Sequence, residues 1–119
     1  MSRAPFTSPM IPELKAAIKK FGARIELALL YGSIARGEEH AGSDIDLMVV
    51  GTLQQIDLLP VLRKLESRFR REVNVTLFSP EEFHRKLASA DHVLSSVRGS
   101  KTISLKGSLN ELEETASKQ

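Results

Sequence analysis

Two short apolar runs limit the fold of this chain most strongly. Residues 25–31 (IELALLY) and 45–50 (IDLMVV) are apolar enough to be strands buried on both faces of a sheet, and each runs into a glycine. A third run, residues 72–78 (EVNVTLF), alternates between apolar and polar side chains, which is the period of a strand. The sequence therefore predicts a sheet of at least three strands.

Helical patterns separate these runs. Apolar residues at helical spacing follow Pro12, which suits the first position of a helix, and a longer amphipathic pattern covers residues 54–71. Residues 79–82 (SPEE) form a capping box that starts another helix. A helical turn within residues 91–99 and a short strand at 101–105 complete the pattern. We expect an α/β (α+β) fold in which helices pack on a small mixed sheet of three to five strands.

Composition narrows the class of protein. The chain has 119 residues, and from this length we expect one domain over residues 1–119, with a flexible arm at 1–10 and a polar tail at 108–119. Its 17 Lys plus Arg and 15 Asp plus Glu give a nearly balanced charge. The absence of cysteine excludes disulfides, Cys-based zinc sites and a cysteine nucleophile. No apolar run approaches the roughly 18 residues of a membrane span, and the first ten residues lack a signal-peptide core. We therefore expect a cytoplasmic protein without a membrane partner.

The first strand ends at a possible phosphate-binding turn. Gly32 lets the backbone come close to a ligand, and Ser33 can cap a short helix whose first N–H groups point outward. Arg36 would add donors to a phosphate oxygen, and Gly37 would end the helical turn. The alternative is a tight turn with a helix cap and no ligand.

Two carboxylates open the second strand. Asp44 and Asp46 are two residues apart, so both project from one face of the strand while Ile45 and Leu47 project from the other. Neighbouring carboxylates repel each other unless a cation lies between them, and Mg²⁺ prefers such oxygen ligands. The alternative is that Asp44 makes an Asx turn and Asp46 is solvated.

The combined pattern carries a family resemblance. Residues 32–47, with Gly32-Ser33, Ala35-Arg36-Gly37 and Ser43-Asp44-Ile45-Asp46-Leu47, resemble the signature of the minimal nucleotidyltransferases of the DNA polymerase β superfamily. The resemblance implies that Gly32 and Ser33 contact a nucleoside triphosphate, and Arg36 and Ser43, within the same signature, are further candidates for nucleotide binding. It also implies that Asp44 and Asp46 bind two Mg²⁺ ions. The implied reaction transfers AMP from ATP to a hydroxyl group with release of pyrophosphate.

One position departs from the family pattern. The family carries a third carboxylate on the following strand, where this chain has Asn74. Asn can offer an oxygen to a metal but cannot act as a general base, and Glu72 on the same face is the candidate to replace it. The chain could therefore bind Mg-ATP yet turn over slowly or not at all.

Two other functions remain open. A catalytically silent, antitoxin-like module would regulate a partner, for instance a helical toxin-type chain, without chemistry. A nucleic-acid binder would use the basic residues in 63–71, of which Lys64, Arg68 and Arg71 share a helical spacing, although a solvated helix face is favoured. Tyr31 is expected to pack in the core, His40 to be exposed, and the oligomeric state is left open.

Overall fold

The computed structural model describes residues 10–32, 44–88 and 101–107. Its helices are α1 (Met10–Lys19), α2 (Gln55–Phe69) and α3 (Pro80–Ala88), with a short 3₁₀ turn at Gly22–Arg24, and its strands are β1 (Ile25–Tyr31), β2 (Ile45–Gly51), β3 (Val73–Phe78) and β4 (Ile103–Lys106). Among these elements, no helix has both the length and the apolar character needed to cross a membrane.

The four strands form one mixed sheet in the order β3-β2-β1-β4. Strand β1 pairs antiparallel with both β2 and β4, whereas β2 and β3 are parallel and connected through α2. Central strands β1 and β2 are almost continuously buried, as their apolar sequences predicted. The predicted α/β (α+β) fold with a small mixed sheet is confirmed.

Helices α1 and α2 cover one face of the sheet and enclose the larger core. Both helices bury residues spaced three or four apart, which is the period of one helical stripe. The sheet contributes alternate residues of each strand, and Leu30, Leu47 and Val49 are completely buried there. Complete burial of such an aliphatic side chain stabilises the fold by about 1.5–3 kcal/mol.

Helix α3 packs on the opposite face over a smaller core. Phe83 of this helix is completely buried against a cluster that includes Met48 and Phe78. The predicted capping box starts the helix: the Ser79 N–H donates to Glu82 Oε1 over 3.0 Å, and the Glu82 N–H donates to Ser79 Oγ over 3.1 Å. The rings of Phe78 and Phe83 lie 6.3 Å apart, as expected for the predicted hydrophobic staple.

Some element boundaries differ from the predictions. Helix α1 begins at Met10, two residues before Pro12, because Pro is tolerated anywhere in the first turn, where backbone N–H groups lack helical partners. Helix α2 ends at Phe69 because Arg70 adopts a left-handed conformation with φ of 53°. Strand β4 lies slightly later than predicted. Met10, the last residue of the predicted arm, is buried in α1, whereas residues 1–9 of the arm, the predicted tail and the helical turn at 91–99 lie outside the described residues.

Candidate active site

Two carboxylates lie at the start of β2, on the α3 side of the sheet. Ile45 and Leu47 point into the larger core and are completely buried, so the alternation of the strand turns Asp44 and Asp46 to the other face. Asp44, immediately before the strand, is exposed, and Asp46 is half-buried. The predicted common orientation of the two carboxylates is therefore confirmed.

Asn74 joins this pair from the neighbouring strand. The parallel register of β2 and β3 places Asn74 directly beside Asp46. Its side-chain nitrogen Nδ2 donates to Asp44 Oδ2 over 3.3 Å and to Asp46 Oδ1 over 3.5 Å. Both distances are long for hydrogen bonds, so each contact is weak. The result is a cluster of three oxygen-bearing side chains, defined here as the Asp44/Asp46/Asn74 cluster.

Gly32 closes the cluster on the β1 side. Its φ of +79° is a backbone conformation that favours glycine, and a Cβ built at this position would overlap Asp46 Oδ2. The antiparallel register explains this contact, because it pairs Tyr31, the preceding residue, with Asp46. The side chain of Asp46 therefore lies directly against the backbone of Gly32, where no other residue type leaves room for it.

Tyr31 lies beside the cluster and packs as predicted. It is half-buried and contacts the smaller core. Its hydroxyl oxygen lies 3.3 Å from Thr76 Oγ1 on β3, at hydrogen-bonding distance. This contact spans the sheet from β1 to β3 and helps to hold the strands that carry Gly32 and Asn74.

Glu72 does not complete the cluster in this structure. It is exposed just before β3, and its backbone carbonyl accepts a hydrogen bond from the Ile45 N–H over 2.8 Å. Within residues 10–32, 44–88 and 101–107, no group of three or more His, Cys, Asp or Glu side chains is arranged to hold a metal ion. Asn74 is thus the third member of the described cluster.

Several other predicted residues cannot be placed beside it. Ser33, Arg36 and Ser43, the predicted phosphate-binding residues other than Gly32, lie outside the described residues, as does His40. Their roles stay predictions.

The basic residues of 63–71 do not form one continuous exposed surface. Lys64 is exposed, but Arg68 Nε lies 2.6 Å from Glu13 Oε1 and joins α2 to α1. The prediction that Arg71 lies on the same helical face is wrong: it follows the end of α2 and is only 5% exposed. The left-handed residue Arg70 causes this difference, because it turns the chain toward β3 before Arg71. Sequence periodicity alone could not show that turn.

The donor set of the cluster fits a divalent cation. Two ionised carboxylates and one amide are the hard oxygen ligands that Mg²⁺ prefers, and Mg²⁺ commonly binds through one or two carboxylates together with phosphate oxygens. The overlap between a residue-32 Cβ and Asp46 shows that the carboxylate lies beside a turn at which a polyphosphate could approach the backbone. A cation between Asp44 and Asp46 would also remove the repulsion between their charges.

Comparisons with known proteins identify a matching family. The family model for polymerase beta, nucleotidyltransferase, matches residues 13–97. A Methanocaldococcus jannaschii protein, whose name proposes protein adenylyltransferase activity, is 32% identical over 83 residues, which are 69% of this chain and 83% of that protein.

Solved structures with a similar fold include toxin–antitoxin proteins. A crystal structure of a toxin–antitoxin with AMP-PNP superposes with a TM-score of 0.62 at 26% identity, over 91% of this chain and 82% of the matched chain. A structure of the tri-AMPylated Shewanella oneidensis HEPN toxin with MNT antitoxin matches with a TM-score of 0.55, over 91% of this chain and 78% of the other. At 23% identity, this second match concerns the fold alone.

Proposed function

Because the chain belongs to the polymerase beta nucleotidyltransferase family, and is thus a nucleotidyltransferase, we propose that it binds Mg-ATP and transfers AMP to a hydroxyl group. The observation that carries the proposal is the Asp44/Asp46/Asn74 cluster, which lies against the backbone of Gly32. Together, the cluster and Gly32 would supply the metal ligands and the glycine turn that the family resemblance implies.

Asp44 and Asp46 would hold the metal. Asp46 is fixed by its neighbours on both adjacent strands, Tyr31 and Asn74, whereas Asp44 is exposed where a nucleotide can enter. When bound, Mg²⁺ would neutralise the charge of the triphosphate oxygens that approach the two carboxylates. The fixed position of Asp46 favours this role, because a ligand that is already oriented loses little entropy on binding.

Gly32 would bring the backbone close to the triphosphate. Its left-handed conformation and the absence of a side chain let the Asp46 carboxylate lie directly against the turn. We propose that Ser33, Arg36 and Ser43 supply the further phosphate contacts, whereas Glu72, which does not complete the cluster, has no part in this proposal. These assignments rest on the family resemblance of residues 32–47.

The acceptor would be a hydroxyl group on a protein. The name of the M. jannaschii relative supports a protein acceptor, and the similarity to a toxin–antitoxin with AMP-PNP supports a toxin-type chain as the partner. The domain is also small, so a second chain would help to form the acceptor side of the site. A catalytic role then requires the partner to bring its hydroxyl to the exposed side of Asp44.

Asn74 favours a second candidate function. A neutral amide at the third position cannot accept a proton from the attacking hydroxyl, which lowers the expected rate of transfer. The chain would then act as a nucleotide-binding regulatory module, antitoxin-like, that controls its partner without modifying it.

Labelled ATP distinguishes the two functions. The chain would be incubated with ATP labelled on the α-phosphate, Mg²⁺ and extract of the source cells, beside the Asp44→Asn variant. Glu81→Gln is the matched control, because Glu81 is an exposed carboxylate on α3 away from the cluster. Transferase activity predicts a labelled protein with the wild type and the control but not with Asp44→Asn.

The other outcomes are equally informative. Binding of ATP that depends on Asp44, without a labelled product or pyrophosphate release, would favour the regulatory module. No labelled acceptor, together with pyrophosphate release that Asp44→Asn leaves unchanged, would refute the transferase proposal.

A further inference from the structure

The side-chain amide of Asn74 occupies a special place in the cluster. Its single nitrogen, Nδ2, donates to a carboxylate oxygen of Asp44 and to one of Asp46. Ionised carboxylates only accept hydrogen bonds, so the amide nitrogen, and not the amide oxygen, is the atom that faces them. The N–H groups of Asn74 thus lie where positive charge is needed.

This arrangement stabilises the two carboxylates in the absence of a cation. Asp44 and Asp46 lie on one face, two residues apart in sequence, and their charges repel. The partial positive charge of the amide N–H groups offsets part of that repulsion. A carboxylate at position 74 would do the opposite, because it would add a third negative charge.

The same amide opposes a cation in its present orientation. A metal ion between the carboxylates would face the N–H groups, which repel it, and it would compete for the same oxygen atoms. The amide oxygen can become a ligand only after the amide turns by about half a rotation around χ2, a torsion that is broad and roughly two-fold for Asn. Entry of the cation is therefore coupled to the loss of two hydrogen bonds.

We propose that Asn74 is a positioning residue that bridges Asp44 and Asp46 in the metal-free chain, must turn its amide to admit a divalent cation, and restricts the site to one such ion. This inference rests on the proposed function, since it concerns the same cation site. After the turn, Asn74 offers one neutral oxygen where a carboxylate would offer a charged one. A second ion near the first then lacks the negative charge that would hold it.

Binding of Mn²⁺ tests the restriction directly. Free Mn²⁺ is measured by electron paramagnetic resonance for the wild type and Asn74→Asp, with and without a non-hydrolysable ATP analogue. We expect one bound ion in the nucleotide complex of the wild type and two in that of Asn74→Asp. The affinity of Asn74→Asp for the first Mn²⁺ ion should exceed that of the wild type by about tenfold or more. Tenfold is the lower end of the change in metal affinity that groups around metal ligands produce.

A matched variant controls for the added charge. Gln54→Glu makes the same amide-to-carboxylate change at the start of α2, at the opposite end of β2 from the cluster. It should leave both the number of bound ions and the affinity as in the wild type. An equal gain in Gln54→Glu would mean that net charge, and not the position of Asn74, controls binding.

A spectroscopic measurement tests the turn of the amide in the wild type. The side-chain N–H signals of Asn74 are identified by their absence from the spectrum of Asn74→Asp. Addition of Mg²⁺ with the analogue should shift these signals and speed their exchange with water, because the N–H groups lose their carboxylate acceptors. Signals that stay unchanged at saturation would overturn the proposed turn.

Thermal unfolding gives a further readout that needs no nucleotide. Without metal, Asn74→Asp should melt at a lower temperature than the wild type, since three carboxylates then share one site, and Mg²⁺ should raise its melting temperature more than that of the wild type. Two Mn²⁺ ions in the wild type, or an unchanged affinity and stoichiometry in Asn74→Asp, would overturn the inference.

These results also separate this inference from the proposed function. If metal-dependent nucleotide binding requires Asp44 but does not respond to Asn74→Asp, only the inference about Asn74 fails. If neither the wild type nor Asn74→Asp binds a divalent cation with the analogue, both proposals fail.

Discussion

The two faces of the sheet serve different purposes, and adjacent residues of β2 show the difference. Leu47 points toward α1 and α2 into the larger core, where it is completely buried. Asp46 points toward the other face and contacts the backbone of Gly32 and the amide of Asn74. The apolar face fixes the backbone, and the register of the strands then positions the polar side chains opposite. At the start of β2, stability and chemistry are thus carried by alternate residues, whereas farther along the strand Met48 and Val50, on the same face as Asp46, are buried in the smaller core.

The largest expected effect lies on the apolar face. Leu47→Ala should lower the free energy of unfolding by about 2–5 kcal/mol, because it removes buried methyl groups and leaves a cavity. Urea unfolding followed by circular dichroism would measure this loss. A cost below about 1 kcal/mol would contradict the view that this face provides most of the stability.

The next effect concerns binding and not folding. Asp46→Asn should leave the free energy of unfolding within about 1 kcal/mol of the wild-type value, since no apolar packing is lost. It should weaken Mg-ATP binding by at least about tenfold. Removal of groups that only surround metal ligands already lowers metal affinity by this factor, and Asp46 is proposed as a ligand itself. Calorimetric titration checks the binding. An Asp46→Asn variant that is much less stable than the wild type but still binds Mg-ATP would contradict the assignment of a binding role to Asp46.

Two glycines sharpen the comparison further. Gly32 and Gly22 both have a positive φ, of +79° and +58°. A Cβ added at Gly32 would overlap Asp46, whereas a Cβ added at Gly22 would have no neighbouring atom within 4 Å. Ala at either position should cost about 1–2 kcal/mol of stability through backbone strain. Only Gly32→Ala should also weaken Mg-ATP binding, because it displaces the carboxylate of Asp46. Equal binding by the two variants would show that Asp46 does not need the space at Gly32.

The smallest effect lies at the start of α3. The hydrogen bond from the Ser79 backbone N–H is the main cause that holds the pKa of the exposed Glu82 carboxyl below its ordinary range. Desolvation opposes it, and the Ser79 hydroxyl and the nearby charge of Arg85 add smaller lowering effects. A lowered folded-state pKa adds stability above the ordinary carboxyl pKa, and this stability is lost as the pH falls through the folded-state value.

Glu82→Gln should therefore be less stable than the wild type at neutral pH. The difference should disappear in acid, below the lowered pKa of Glu82. Urea unfolding at neutral and acid pH would measure this difference in the free energy of unfolding. Ser79→Ala, which removes the helix cap, should lower the free energy of unfolding by about 1 kcal/mol at neutral pH. A difference between wild type and Glu82→Gln that grows in acid would contradict the assignment of the lowered pKa to the capping box.

Local patterns predicted most of the fold. The alternation in β3, the capping box at Ser79 and the apolar runs of β1 and β2 each depend on neighbours in sequence, and all are found in the structure. The end of α2 was missed because the left-handed conformation of Arg70 depends on how the chain must turn to enter β3. The burial of Arg71 follows from that turn and was missed for the same reason.

The sequence pointed to the three side chains of the Asp44/Asp46/Asn74 cluster but not to the contacts between them. Period-two alternation was enough to place Asp44 and Asp46 on one face, and the family resemblance marked position 74. The hydrogen bonds of Asn74 depend on the parallel register of β2 and β3, which joins residues 28 to 30 positions apart in sequence. The contact between Gly32 and Asp46 likewise depends on the antiparallel register of β1 and β2, so sequence alone suggested a ligand or a tight turn, but not this contact, as the reason for that glycine.

Calorimetric titration of Mg-ATP into the wild type, beside a variant carrying both Asp44→Asn and Asp46→Asn, tests the central claim most directly. We expect saturable binding by the wild type that requires Mg²⁺, and no measurable binding by the folded double variant. Equal heats of binding for the two proteins, or no binding to the wild type with either Mg²⁺ or Mn²⁺, would contradict the claim that these carboxylates hold a metal-bound nucleotide.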